Sequence, residues 1–213
     1  MNPRHLQTKA LQRAFTLVEL LVVLSIVGII VAFTVPAMNS VMGGSQITQA
    51  GQMVGDQLAL ARQTALSKNH TVEVRFYRFG DPDMPGEKAT DPSTGRYRTF
   101  QPFEIFDTGA AVALAKIQRI PSSIIIDSGT TLSSLLNTGT TSNPQVSLPR
   151  VGTNYNYFSF RFLPDGSTNL SPTSQWFLTV HNGNDGDALT APPKNFYTIQ
   201  IDATNGHIKS YRP

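Results

Sequence analysis

The chain's reactive side chains are few: four histidines, no cysteine, and two clusters of acidic residues. His5, His70, His181 and His207 are scattered, and no two stand at metal-ligand spacing. Each is expected to be a surface or strand histidine. Without cysteine, neither a disulfide framework nor a thiolate zinc site can form. No glycine-rich phosphate loop or nucleophile elbow is present, and no serine sits in a recognisable catalytic context. One acidic loop carries Asp81, Asp83, Glu87 and Asp91; the other carries Asn182, Asn184, Asp185 and Asp187. The second offers the clustered carboxylate and amide oxygens that calcium takes, so these four residues are weak calcium candidates. It lacks the terminal bidentate Glu of an EF-hand, and solvated turns use the same residues. The expectation is a chain with no catalytic centre, no cofactor and no resident metal.

Glu19 is different. It is the only charged residue in the apolar run 15–35, which is long enough for the ~20 residues that a helix needs to cross a hydrocarbon core. A carboxylate inside such a span costs about 2.5 kcal/mol or more, which makes it a functional candidate. In one reading it lies near the helix end and reaches the headgroups. In the other, the chain is cut between Ala14 and Phe15. The new α-amino cation then stands four residues before Glu19, about one helical turn away, and can neutralise it. Between neighbouring subunits the same pairing would reward packing with an axial offset.

The elements around Glu19 decide between an address and a binding surface. Lys and Arg number 17 against 14 Asp and Glu, a formal net charge of +3, and only 15% of residues are charged against about 25% in average domains. Arg4, Lys9 and Arg13 precede Ala14 with no acid among them. Setting these three aside leaves a formally neutral chain. The excess charge therefore holds the N-terminus on the cytoplasmic side, as a basic flank of an apolar segment does. The run exceeds the 7–15 apolar residues of a cleavable secretory signal, so a membrane-retained helix is expected.

Past the run, Pro36 removes one helical hydrogen bond and should kink or locally open the helix. Gly43 and Gly44 form a second weak point. Ile47, Ala50, Val54, Leu58, Ala61 and Ala65 then recur at helical spacing and predict one apolar stripe, with Gln49, Gln52, Asp56 and Gln63 opposite. After Lys68 the period switches to two. Strands are expected over 71–76, 96–101 and 103–106 (interrupted or bent at Pro102), 120–126, 155–163, 176–181, 196–202 and 208–211. Pro164-Asp165-Gly166 and Asn205-Gly206 are hairpin signals. One long helix followed only by strands reads as α+β, the helix packed on an antiparallel sheet. The regions 80–95 and 137–156 should be exposed loops.

Residues 13–29, Arg-Ala-Phe-Thr-Leu-Val-Glu-Leu-Leu-Val-Val-Leu-Ser-Ile-Val-Gly-Ile, resemble the class III signal of type IV pilins and type II secretion pseudopilins. That resemblance implies cleavage before Phe15 by a prepilin peptidase, N-methylation of the Phe15 amine, and assembly guided by Glu19. It implies as partners other pilin or pseudopilin subunits, the peptidase/methyltransferase and an inner-membrane assembly platform. It divides the chain into a leader (1–14), a transmembrane and filament-core helix (15–36), an amphipathic helix half (37–68) and a β-rich head (69–213). The location implied is the bacterial inner membrane, single-pass, with the N-terminus cytoplasmic and the head periplasmic, then a filament after processing. The family favours glycine before the cut, and this chain has Ala14. An uncut chain would instead be a membrane-anchored module binding a protein, a carbohydrate or, least favoured, DNA.

A second resemblance lies downstream. Residues 57–66, 72–76, 160–166 and 199–208 are similar to the head of H-type minor pseudopilins and fimbrial T-type minor pilins, which implies two sheets after the helix. A narrower likeness is to the pilin-like cassette protein D family of Verrucomicrobia-type bacteria, and it implies no activity. The neutral mature chain lacks the charge surplus that drives phosphate binding, so nucleic acid is an unlikely partner. Arg75, Arg78, Arg96 and Arg98 are expected on the solvated faces of two strands.

Overall fold

A computed structural model describes residues 16–137, 140–141 and 147–213, with the side chains of 34–42, 137, 140 and 141 outside that description. The leader expected over 1–14 also lies outside it. The chain divides into two compact units, Met1–Met42 and Gly43–Pro213. A single helix, α1 (Leu17–Lys68), runs without a break through Pro36, Gly43 and Gly44.

In the first unit the large apolar side chains of residues 17–33 are all exposed, from 47% at Val22 to 81% at Leu17. The segment is apolar around its whole circumference, so no face of it turns inward. The described side chains cover only residues 17–33 of the span expected over 15–36, and among the described residues no helix is long and apolar enough to cross a membrane.

In the second unit the stripe Ile47, Ala50, Val54, Leu58, Ala61 and Ala65 is buried throughout, as its spacing requires. Gln49, Gln52, Asp56 and Gln63 face solvent. Gly51 also lies on the buried side, against the ring of Tyr197, where a Cβ would have no room. The stripe packs on strands β1 (Thr71–Phe79), β2 (Arg96–Ile105), β5 (Ile124–Ile126), β7 (Asn156–Phe162), β8 (Trp176–Asn182) and β9 (Phe196–Ile201). Short strands β3 (Ala111–Ala113), β4 (Gln118–Arg119), β6 (Thr140–Thr141) and β10 (Ile208–Tyr211) complete the set. The fold is α+β, with the helix packed on an antiparallel sheet.

The expectation of two sheets is corrected. One sheet is seen, in the order β10-β9-β8-β5-β2-β1-β7-β6, with β3 and β4 also on β2. The reason is a narrow joint: β5 meets β2 through one residue pair, Tyr97 and Ile126. Either half alone resembles a separate sheet in sequence, and only that pairing merges them.

A second correction concerns Pro102. Rather than separating two strands, it sits inside β2 opposite Val74 of β1. In a strand the N–H and C=O of one residue point to the same side. The Pro102 carbonyl accepts from the Leu114 amide, 3.0 Å away and outside the β1 pairing. Its missing N–H therefore falls in the interval between β4 and β3, and no β1 bond is lost.

Alternation along β1 sends Val72, Val74 and Phe76 to the helix face, and Glu73, Arg75 and Tyr77 to the other. A smaller apolar cluster of Tyr77, Phe79, Phe103, Leu148, Val151 and Tyr155 forms on this second face.

Candidate functional site

Glu19 sits three residues into α1, and Thr16 stands immediately before the helix. The Thr16 amide and hydroxyl both donate to Glu19 Oε2, each at 2.8 Å, and the Glu19 amide donates to the Thr16 hydroxyl at 3.2 Å. This is a reciprocal capping box, which satisfies two of the four orphan amides at a helix start. The sequence reading missed Thr16, although Thr-x-x-Glu directly before an apolar helix is its signature. Behind the box, Ser25 donates to the Leu21 carbonyl, so its hydroxyl is turned back onto the helix. Ala14 and Phe15 lie outside the described residues. Pro36 is helical, and its side chain lies outside the description.

The motifs of the second resemblance meet in one clasp. Arg62, near the end of the buried stripe, donates from Nε to the Asn205 carbonyl at 2.8 Å. Gly166 and Gly206 take the left-handed backbone that their turns need, at φ 84° and 65°. Gly206 packs directly on the Gly166 carbonyl and the Arg62 side chain, leaving no space for a Cβ. Two hairpin turns distant in sequence thus lock against one helical arginine. The clasp fixes the helix to the sheet.

The first acidic loop is braced by ion pairs. The Arg98 guanidinium holds both Glu87 oxygens at 2.7 and 2.9 Å, with both side chains 4% exposed. Arg119 pairs with Asp81, and Arg150 with Asp83 at 3.0 Å. Burial pushes the Asp81 carboxyl up, but the Asp83 amide and Arg119 outweigh it and hold the group below its ordinary range. Asp91 caps a short 3-10 turn, Pro92–Thr94, by accepting from the Ser93 amide.

The expectation of four solvated arginines fails at Arg98, which is buried. Arg75 pairs with Glu73 at 2.6 Å and lies 4.2 Å over the Phe103 ring. Arg78 donates to the Gly95 and Ser93 carbonyls, and Arg96 stands 3.7 Å from Glu87. Facing carboxylates and carbonyls turn these cations inward, a property that strand alternation alone does not reveal. They make no open phosphate-binding patch.

The second acidic loop spends its oxygens on the protein's own amides. Asn182 Oδ1 accepts from the Asn184 amide, starting a 3-10 turn at Gly183–Asp185. Asp187 Oδ1 accepts from Ser128 and Ala188, each at 2.9 Å. Asn184 and Asp185 point to solvent. Among the described residues no group of three or more His, Cys, Asp or Glu is placed to hold a metal ion.

Beside that loop lies a pair that the sequence did not reveal. His181 and Asp127 are both fully buried, with Nε2 3.0 Å from Asp127 Oδ2 and Nδ1 2.9 Å from the Asn182 carbonyl. Both ring nitrogens are occupied and neither faces a hydroxyl, so the pair cannot act as a base for a serine nucleophile. His70 likewise binds Glu104, which also holds Lys68, tying the C-terminal end of α1 to β2.

Comparison with known proteins places the recognisable likeness at the N-terminus. Residues 9–35 match the prokaryotic N-terminal methylation motif. The type IV major fimbrial protein FimA of Dichelobacter nodosus is 40% identical over 52 residues, 24% of this chain and 32% of that protein. A fimbrial protein of the same organism is 46% identical over 41 residues, 19% of this chain and 26% of that one. The matching segment thus spans about a third or less of these relatives' length. Among solved structures, the minor pseudopilin EpsH of the Vibrio cholerae type 2 secretion system has a TM-score of 0.43 at 10% identity, over 79% of this chain and 98% of that one. The type IV minor pilin FimU of Pseudomonas aeruginosa has the same score and identity, over 79% and 93%. The chain carries the prokaryotic N-terminal methylation motif, with Ala14, Phe15, Thr16 and Glu19 inside it.

Proposed function

We propose that this chain is a minor-pseudopilin-like structural subunit of a type II secretion or type IV pilus-like filament, and not an enzyme. The observation that carries the reading is the methylation motif leading into a helix whose apolar residues 17–33 are exposed on every side, with Glu19 as its one charge. Such a surface needs lipid or other helices around it. The precursor spans the bacterial inner membrane once through residues 15–36, with the basic leader 1–14 in the cytoplasm and the head in the periplasm. A prepilin peptidase cuts between Ala14 and Phe15, and the new Phe15 amine is N-methylated. Methylation keeps that amine cationic, so it neutralises the Glu19 carboxylate of a neighbouring subunit in low dielectric. Pro36 opens the helix locally as subunits pack. The partners are other pilin or pseudopilin subunits, the processing enzyme and an inner-membrane assembly platform.

The capping box supports this sequence of events. The Thr16 amide belongs to the Phe15–Thr16 peptide, so removing residues 1–14 leaves every atom of the box in place. A second reading rests on Ala14, whose methyl group stands where the signal favours glycine. If that blocks the cut, the chain stays a membrane-anchored periplasmic binding module for a protein or carbohydrate. Intact mass and N-terminal sequencing of the native membrane protein separate the two. A start at methylated Phe15 supports the filament subunit, whereas an intact Met1 supports the anchored module. Glu19→Ala is expected to remain in the membrane and be absent from filaments; normal incorporation of that variant refutes the role of Glu19.

A further inference from the structure

The strand β3 leaves half of its backbone unpaired. It lies on β2 with Val112 opposite Glu104. The ladder continues on both sides, since the Phe106 amide donates to the Ala110 carbonyl and the Leu114 amide to the Pro102 carbonyl, each at 3.0 Å. Antiparallel bonds fall on every second residue. Residues 110, 112 and 114 therefore face β2, and the amides and carbonyls of Ala111 and Ala113 point the other way. Among the described residues β3 pairs with β2 alone, and all three of its residues are exposed. Between Asp107 and Lys116 there is neither charge nor proline, and β3 holds its register without a bulge. Those are the usual guards of an open edge, and shortness is the one this edge has.

An apolar groove opens beside this edge. Residues directly opposite share a face of the sheet, so Val112 stands with Glu104 on the α1 side, and Leu114 with Pro102. Leu60, Thr64 and Lys68 of α1 form the other wall, and the groove holds about 170 Å³. An apolar cavity of that size takes one small ring or branched side chain. Leu60 in the groove and Val112 next to it are 50% and 53% exposed. Lys68 adds no free charge there, because Glu104 holds its ammonium at 2.7 Å.

Backbone donors and acceptors repeated at a two-residue interval are matched by another extended backbone. Asp107 and Lys116, both exposed, set the charges at the ends. A strand running antiparallel to β3 meets Lys116 with its first residues and Asp107 with its last. A second copy of β3 cannot be that strand. β3 runs parallel to β1, which packs back along α1. Antiparallel pairing of two copies would therefore send their α1 helices in opposite directions, which neither one membrane nor a filament of like-oriented subunits admits. We propose that the open edge of β3 binds an extended segment of a different protein by strand addition. That segment carries an acid first, aliphatic residues at alternate positions and a base last. Its aliphatic residues lie beside Val112, and one enters the groove. The site is wholly in the head and goes beyond the filament reading. It stands whether or not the chain is cut after Ala14, since both readings keep every copy pointing the same way.

Amide spectra of the nitrogen-15-labelled full chain in detergent micelles test this with the peptide acetyl-Glu-Val-Thr-Val-Thr-Val-Lys-amide. Its threonine amides and carbonyls face β3 when its valines lie on the α1 side. With peptide added to about millimolar concentration, the Ala111 and Ala113 amides should move saturably downfield. The Val112 and Leu114 amides, already bonded to β2, should move far less. Ala113→Pro removes one outward donor without touching a β2 bond and should weaken binding about tenfold. N-methylation of the two threonine amides should abolish binding. It needs no protein variant and covers the case in which Ala113→Pro fails to fold. The proposal is overturned if no shift appears at that concentration, or if the methylated peptide binds equally well. It is also overturned if the Ala111 and Ala113 signals follow protein concentration without peptide, the mark of a second copy on the edge.

Discussion

The two ends of α1 share one secondary structure and follow opposite burial rules. Residues 17–33 are apolar on every side and exposed on every side, whereas residues 47–65 are apolar along one stripe, which is buried. The helix hydrogen bonds are the same in both, so helicity does not explain the difference. The distribution of side chains around the axis does. A one-sided stripe finds its partner within the same chain, against β1, β2, β7, β8 and β9. A helix apolar all round cannot be satisfied by one face of a small head, and it demands an apolar solvent or several other helices.

Leucine truncations should separate the ends most sharply. Leu58→Ala removes a fully buried side chain and is expected to destabilise the head by about 2–5 kcal/mol. Denaturant unfolding in micelles, followed by the single tryptophan, Trp176 in β8, reads this directly. Leu24→Ala at an exposed position should leave the same transition within about 0.5 kcal/mol. Equal losses from the two would mean that the first part of the helix also supports the head, and the comparison would collapse.

Gly51→Ala probes the close approach on the buried side. Its methyl group meets the Tyr197 ring, and a loss of about 1–3 kcal/mol is expected in the same assay. Wild-type stability in that variant would show that Tyr197 swings away freely. The smallest effect belongs to the helix start. Thr16→Val deletes the hydroxyl shared by Glu19 Oε2 and the Glu19 amide, costing about 0.5–2 kcal/mol of helix stability. It should appear as faster amide exchange over residues 17–20, with the Trp176 transition unmoved. A shift of that transition would contradict the independence of the two ends.

Much of the fold was legible because local pattern and tertiary demand agree. The six-residue stripe was readable since helical spacing alone puts those side chains on one face. Strands β1, β7, β8, β9 and β10 were readable from alternation and from the turns at Gly166 and Gly206. β3, β4 and β6 were not, because two or three residues carry no period. Pro102 misled, because its cost depends on which neighbour its nitrogen faces. At the site, Glu19 stood out as a charge in an apolar run, while Thr16 went unnoticed for being an ordinary residue in an ordinary signature. The second acidic loop offered calcium-type oxygens, and those of Asn182 and Asp187 accept from backbone amides.

The sequence by itself determined the address and the division of labour. The basic leader, the lone carboxylate and the apolar run are properties of neighbouring residues, and the change of period after Lys68 is equally local. Only the tertiary structure decided that both halves of the head form one sheet, since the ladder between β2 and β5 is a single pairing, Tyr97 with Ile126. It alone turned Arg98 inward onto Glu87 and brought His181 to Asp127 across 54 positions of chain. The physical reason is range. Periodicity records what a residue does with neighbours three or four places away, but a buried charge is fixed by a partner that the chain reaches only after folding.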